Sequence, residues 1–176
     1  MDRQRKMTMM GNTFYGDSKN VKRTLRNSFF FAIFSPLIIA IHVTTFFLGK
    51  KRSFRFWGPR ITHTAKLVVK LFVPDIPTSQ HFDQLSAKIR PRIPLWGFVW
   101  DIKITEDTKD VLQLHIGNCP FCEVFAFAGL SELNPYACEG DWAYAGEKSD
   151  KWSFDRKHQI GTGDSFCDHT YKRLHK

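Results

Sequence analysis

Apolar positions fall into three successive patterns along the chain. The first is a continuous run, FFFAIFSPLIIAIHVTTFFL at 29–48, with no Lys, Arg, Asp or Glu. It predicts a helix over 21–48 that reaches the ~20 residues needed to cross a bilayer. The second is helical spacing in 59–73, where Ile61, Ala65, Leu67, Val68, Leu71 and Phe72 follow Pro59 at the expected helix start. This reads as an amphipathic helix lying on a membrane or on the domain. Pro74, Pro77, Pro91 and Pro94 then punctuate a connector, with a short helix capped by Ser79 over 79–90. The third pattern is alternation. Over 95–105, Phe98, Trp100, Ile102 and Ile104 share one strand face, and over 111–116 Leu112, Leu114 and Ile116 share another. The acidic stretch 106–110 between them makes an antiparallel hairpin.

Helical segments follow at 119–129, with Pro120 in the first turn and Gly129 at the end, and at 136–148. Strands are expected at 153–160 and 165–173, joined by Gly161-Thr162-Gly163. The order β-β-α-α-β-β places the chain in the α+β class: an N-terminal apolar helix and connector helices, then an antiparallel-sheet domain. The expected division is a flexible basic tail at 1–20, a membrane-associated helix at 21–52, a connector with amphipathic helices at 53–94 and the α+β domain at 95–174.

Charge changes this picture by its location. Residues 1–70 hold 14 Lys or Arg against only Asp2 and Asp17, whereas residues 71–176 hold 12 basic against 15 acidic residues. The net +9 therefore belongs to the N-terminal part, and the mildly acidic remainder lacks the basic face of a nucleic-acid binder. Lys19, Lys22, Arg23 and Arg26 precede the apolar run, and Lys50, Lys51, Arg52, Arg55 and Arg60 follow it. Such flanks favour anionic headgroups, with Phe54, Phe56 and Trp57 at interfacial depth. The long polar lead and the Gly49-Lys50-Lys51-Arg52 exit do not fit a cleaved signal peptide. The competing reading, a fully buried helix of a soluble domain, requires apolar neighbours on every side. Membrane association through 29–48 is the expectation, with the remaining domain facing the cytoplasm. Four cysteines in 176 residues are too few for a secreted disulfide scaffold, so reduced thiols fit that compartment.

All four cysteines lie in the last third, each near a carboxylate: Cys119-Pro120-Phe121-Cys122-Glu123, Cys138-Glu139-Gly140-Asp141, and Gly161-Thr162-Gly163-Asp164-Ser165-Phe166-Cys167-Asp168-His169. Cys119 opens a helix, where the backbone favours a thiolate. Cys122 reads as a small buried residue. Cys138 and Asp141 are three apart and share a helix face, which suits a nucleophile or a ligand. A base is then still needed, and His169 and His115 are the candidates. On a strand, Cys167 and His169 point one way and Asp168 the other. Zinc would need a second close cysteine pair, but Cys119, Cys138 and Cys167 remain candidate ligands. A metal-binding module, holding zinc or an iron–sulfur centre at the membrane, is the non-enzymatic alternative.

The segment from about Trp96 to Arg173 resembles the L-2-amino-thiazoline-4-carboxylic acid hydrolase family. The resemblance is carried by the aromatic strand before an acidic turn, Cys119-Pro120-Phe121, and a helix ending in Gly129-Leu130. Leu133 through Cys138 and Asp141 continue it, and Arg156, Gly161-Thr162-Gly163-Asp164 and Cys167-Asp168 close it. It implies hydrolysis of a C–N bond in a cyclic amidine-like small molecule, with no cofactor required. By position it implies Cys138, Asp141 and Asp164 as site residues, supported by Cys119, Cys167, Asp168 and Arg156, and His169 joins the catalytic set as the candidate base.

Overall fold

A computed structural model describes residues 18–175. The tail expected at 1–20 lies outside the described residues, except that 18–20 open the first helix. That helix, α1, spans Ser18–Leu48 and α2 spans Lys50–Phe72. Gly49 alone separates them, with φ +77° in the left-handed region that glycine tolerates. α2 therefore starts at Lys50, and Pro59 lies inside it rather than at its start. The first turn is secured elsewhere. Ser53 Oγ meets Thr44 Oγ1 at 2.9 Å, and the Trp57 indole donates to Thr44 Oγ1 at 2.8 Å. Burial of Phe54 and Ile61 on either side of the proline offsets its missing N–H.

The connector is built of short helices. A 3-10 turn at Ser79–His81 leads into α3, Asp83–Ile89, and a single turn, α4, spans Ile93–Trp96. Thr78, not Ser79, holds the N-cap position, and no side chain caps the turn. The strand expected from Leu95 begins only at Ile102, as β1, Ile102–Asp107. Pro94 presets a helical first turn, and the Trp96 carbonyl accepts from both the Val99 and Trp100 N–H groups, at 2.8 and 2.9 Å. Phe98 and Trp100 thus belong to a turn and not to a strand face.

The remaining elements keep the expected order: β2 Val111–Ile116, α5 Pro120–Phe127, α6 Asn134–Glu147, β3 Trp152–Asp155 and β4 Cys167–Arg173. The four strands form one antiparallel sheet in the order β1-β2-β4-β3. A bulge between Ile104 and Glu106 shifts the β1–β2 register. β3 stops at Asp155, short of the expected 160, because the Asp168 carboxylate takes the N–H groups of Lys157 and His158 at 2.9 and 2.5 Å. The protein is α+β, with an N-terminal apolar helix, several further helices and an antiparallel sheet.

The sheet buries the alternating residues Leu112, Leu114 and Tyr171 against Phe72, Val73, Leu85, Tyr144 and Trp152. Full burial of side chains of this size contributes ~1.5–3 kcal/mol each. The Tyr144 hydroxyl donates to the Val73 carbonyl at 3.1 Å, so its burial leaves no orphaned donor. α2 approaches α6 closely at Gly140, where an added Cβ would stand 2.6 Å from Ala65 Cβ and 2.7 Å from Lys66 N.

One face of α1 packs Phe30, Ile38 and Ile41 against Val124, Phe125, Leu130 and Leu133. Glu123 on α5 accepts from Arg23 at 2.8 and 3.1 Å and from Asn27 at 2.5 Å. His42, the one imidazole in the apolar run, meets the Ala128 carbonyl at 3.1 Å. Elsewhere α1 exposes large apolar side chains, including Phe29, Ile33, Ile39, Phe46 and Phe47. Its stretch Lys22–Leu48 is long and apolar enough to cross a membrane, and 11% of its most apolar stretch is buried in the protein.

Candidate active site

The cysteine segments converge where the N-termini of α5 and α6 meet the start of β4. Cys119 holds the N-cap position of α5 and Pro120 its first turn. Cys122, one turn on, faces α6, and Asn134 Nδ2 donates to the Cys122 carbonyl at 3.2 Å, tying the two helices together. Cys138 and Asp141 lie on one face of α6, as their spacing predicts, and both line a cavity of about 80 Å³. Cys119, Cys167 and His169 line the same cavity, and α2 supplies its opposite wall through Ala65, Val69 and Phe72. That volume is several times the ~10–15 Å³ that one water requires. All four cysteines are free thiols.

Arg156 organises the polar side of the site. Its side chain is 1% exposed and its Nη1 lies 2.5 Å from Asp141 Oδ2. Its Nη2 donates to the Cys138 carbonyl at 3.2 Å and to Gln159 Oε1 at 2.6 Å. His169 Nε2 stands 3.5 Å from the same Asp141 oxygen. One carboxylate therefore faces a fixed cation and an imidazole, and the guanidinium is held by three partners, as a buried charge requires.

This environment treats the thiols differently. Cys138 is lowered below the ordinary thiol range, first by the S–H of Cys122 and then by the Arg156 charge and the Gly161 N–H, against burial and the Asp141 charge. Cys122 is driven far up by its thiol neighbours Cys119 and Cys138 and by burial, so it stays the protonated donor. Burial pushes Cys167 up to about 12, although the Ile160 N–H points at its sulfur from 3.3 Å. Burial also lowers His169, with the Asp141 charge opposing, so its imidazole is neutral at pH 7. The site thus combines one thiol held below its ordinary range, one neutral imidazole and one carboxylate–guanidinium pair around a cavity, a constellation suited to nucleophilic chemistry.

Other sequence candidates fall elsewhere. Asp164 Oδ2 accepts from the Gln159 N–H at 2.7 Å and closes the Ile160–Thr162 turn. Asp168 points to the opposite side of β4, as alternation predicts, where the His158 and Lys157 N–H groups hold it below the usual carboxylate range despite desolvation. Neither lines the cavity. His115, the other candidate base, stacks on Phe166 at 4.7 Å. Among the described residues no group of three or more His, Cys, Asp or Glu is arranged to hold a metal ion.

Sequence reasoning missed three contributors. Cys122 is more than core filling, because its thiol lies beside Cys138 and favours the Cys138 thiolate. Gly161 matters for lacking a side chain: an added Cβ would stand 2.5 Å from Cys138 Sγ. The cavity wall on α2 lies outside the segment from Trp96 onward that carried the resemblance. The L-2-amino-thiazoline-4-carboxylic acid hydrolase family model matches residues 54–171, about two thirds of the chain, and so takes in that wall. No curated protein matches the chain. On the extent of this match, the chain belongs to the L-2-amino-thiazoline-4-carboxylic acid hydrolase family.

Proposed function

We propose that the protein is a hydrolase that opens a C–N bond of a cyclic amidine-type substrate, with Cys138 as nucleophile. The observation that carries this reading is the Cys138 thiol on the cavity wall, favoured as thiolate by Cys122, Arg156 and Gly161. The thiolate adds to the amidine carbon. The ring nitrogen takes one proton from solvent on this addition and a second as the ring C–N bond breaks, the electron pair of that bond staying on nitrogen. Water then adds to the same carbon, His169 accepts its first proton and releases it, the second goes to solvent as the carbonyl forms, and Cys138 leaves as thiolate. One water is consumed in total. Asp141 orients His169, and Arg156 holds Asp141 in place. Cys119 and Cys167 complete the wall, whereas Asp164 and Asp168 shape the 156–168 segment that brings Arg156 and Gly161 to the nucleophile.

The length and composition of α1 support a membrane-associated enzyme. The reduced thiols fit a site domain on the cytoplasmic side. The test is turnover of L-2-amino-thiazoline-4-carboxylate by the full chain in lipid. Cys138→Ala is expected to abolish it with the fold intact, and Asp141→Ala to reduce it at least 100-fold. Full activity in both variants would sink the proposal.

A further inference from the structure

A second cavity, of about 110 Å³, adjoins the first. Ala65, Phe121 and Ala137 line both. The rest of its wall is mainly apolar, with Phe34 and Leu37 from α1, Ile61 from α2 and Phe125 from α5. Arg60 and Thr64 are its polar neighbours, and both are already engaged. Thr64 Oγ1 donates to the Arg60 carbonyl at 2.9 Å. Arg60 Nη1 donates to the Phe56 carbonyl at 2.7 Å, and its guanidinium lies 3.6 Å over the Phe56 ring. A lining that is otherwise apolar favours apolar occupants.

The position of this hole matters as much as its lining. One wall is α1, the helix with the length and composition to enter a bilayer. The opposite end abuts the cavity that holds Cys138, and two of the three residues lining both are alanines. Nothing in the opening of a small polar ring calls for an apolar chamber behind the nucleophile. An amphiphile would use both chambers, with its reacting head beside Cys138 and its tail against α1.

We propose that the second cavity is an alkyl-chain pocket of the active site, and that the substrate is a membrane amphiphile carrying an unbranched alkyl chain on the exocyclic nitrogen of the amidine. The nature of the head rests on the hydrolase reading; the pocket itself does not. Opening of a 2-alkylamino-thiazoline-4-carboxylate at its ring C–N bond consumes one water and leaves an N-alkylthiocarbamate on the product's sulfur. The balance needs no further reactant.

The experiment compares 2-methylamino- and 2-octylamino-thiazoline-4-carboxylate on the full chain in lipid nanodiscs. Binding is measured on Cys138→Ala and turnover on the unaltered protein. Affinity is expected to rise roughly four-fold per added methylene until the chain fills the pocket. Leu37→Trp, which fills the pocket without touching the nucleophile, is expected to erase this gain and keep the affinity for the methyl probe. Leu37→Ala is the companion should the larger side chain disturb packing, and it is expected to extend the gain to longer chains. Equal affinity for both probes, or a chain-length gain untouched by either Leu37 variant, would overturn the pocket. Turnover of the methyl probe without a chain-length effect would overturn the pocket and leave the hydrolase reading standing. A chain-length gain in binding with no turnover of either probe would support the pocket and remove the hydrolase.

Discussion

Gly161→Ala probes the nucleophile from a position outside the reacting set. The new Cβ would lie 2.5 Å from Cys138 Sγ and 3.0 Å from the Asn134 carbonyl oxygen. Favourable heavy-atom contacts lie near ~3.5–4.0 Å, so the sulfur or the 160–162 turn must move by about 1 Å. The sulfur is buried among Cys122, Cys167 and the α6 backbone, so it has little room to yield. Overpacking of this kind costs ~1–3 kcal/mol, or a melting temperature lowered by ~2–12 °C for a chain this size. A shift of ~1 Å at a reacting atom costs ~100-fold in rate. The displaced turn also withdraws the Gly161 N–H that favours the thiolate. The assay is alkylation by iodoacetamide followed by peptide mapping, which separates Cys138 from the other three thiols. Slower labelling of Cys138 across pH 6–9 is expected, together with the lower melting temperature. Unchanged labelling and an unchanged melting temperature would refute the packing on which the site rests.

Asp141→Asn leaves Arg156 buried with neutral partners only, and loss of one member of such a pair costs about 3 kcal/mol or more. Thermal melts should show a drop of ~6–12 °C, and the double variant Asp141→Leu/Arg156→Met should recover part of it. His169 is held neutral by burial, so the unfolded chain binds the extra proton first as pH falls through about 6.5. Stability from this group is complete above that value and declines below it, by at most ~1.4 kcal/mol per pH unit. Urea midpoints at pH 7.5 and 5.5 should therefore differ less in His169→Gln than in the unaltered chain. Glu123→Ala removes the acceptor shared by Arg23 and Asn27, and hydrogen exchange of α1 residues 23–30 should accelerate while α6 is unaffected.

Regular alternation was the most legible signal in the sequence. Leu112, Leu114 and Ile116 face the core, and Cys167 and His169 share the cavity side of β4 while Asp168 points away, as period-two geometry demands. The same logic failed over 95–101. Aromatic and β-branched residues there resemble a strand, yet Trp96 and Trp100 pack on Phe72 from a helical turn, at ring distances of 6.0 and 6.1 Å. Burial of rings does not specify the backbone that presents them. Asp164 and Asp168 entered the candidate site through the family resemblance. Their carboxylates instead serve backbone N–H groups, a local use that residue type alone does not reveal. The role of Cys122 depends on α5 meeting α6, and the cavity wall on α2 depends on the close approach at Gly140. Both are long-range contacts. The apolar stripe of α2 was legible, but the surface it would cover was not.

The central claim is that Cys138 forms a bond to the substrate. Intact-protein mass spectrometry of the full chain, quenched in acid during turnover of L-2-amino-thiazoline-4-carboxylate, tests it directly. The account predicts an adduct that maps to Cys138, disappears as substrate is exhausted and is absent from Cys138→Ser. Turnover by Cys138→Ser at the rate of the unaltered chain, with no adduct on either protein, would contradict it.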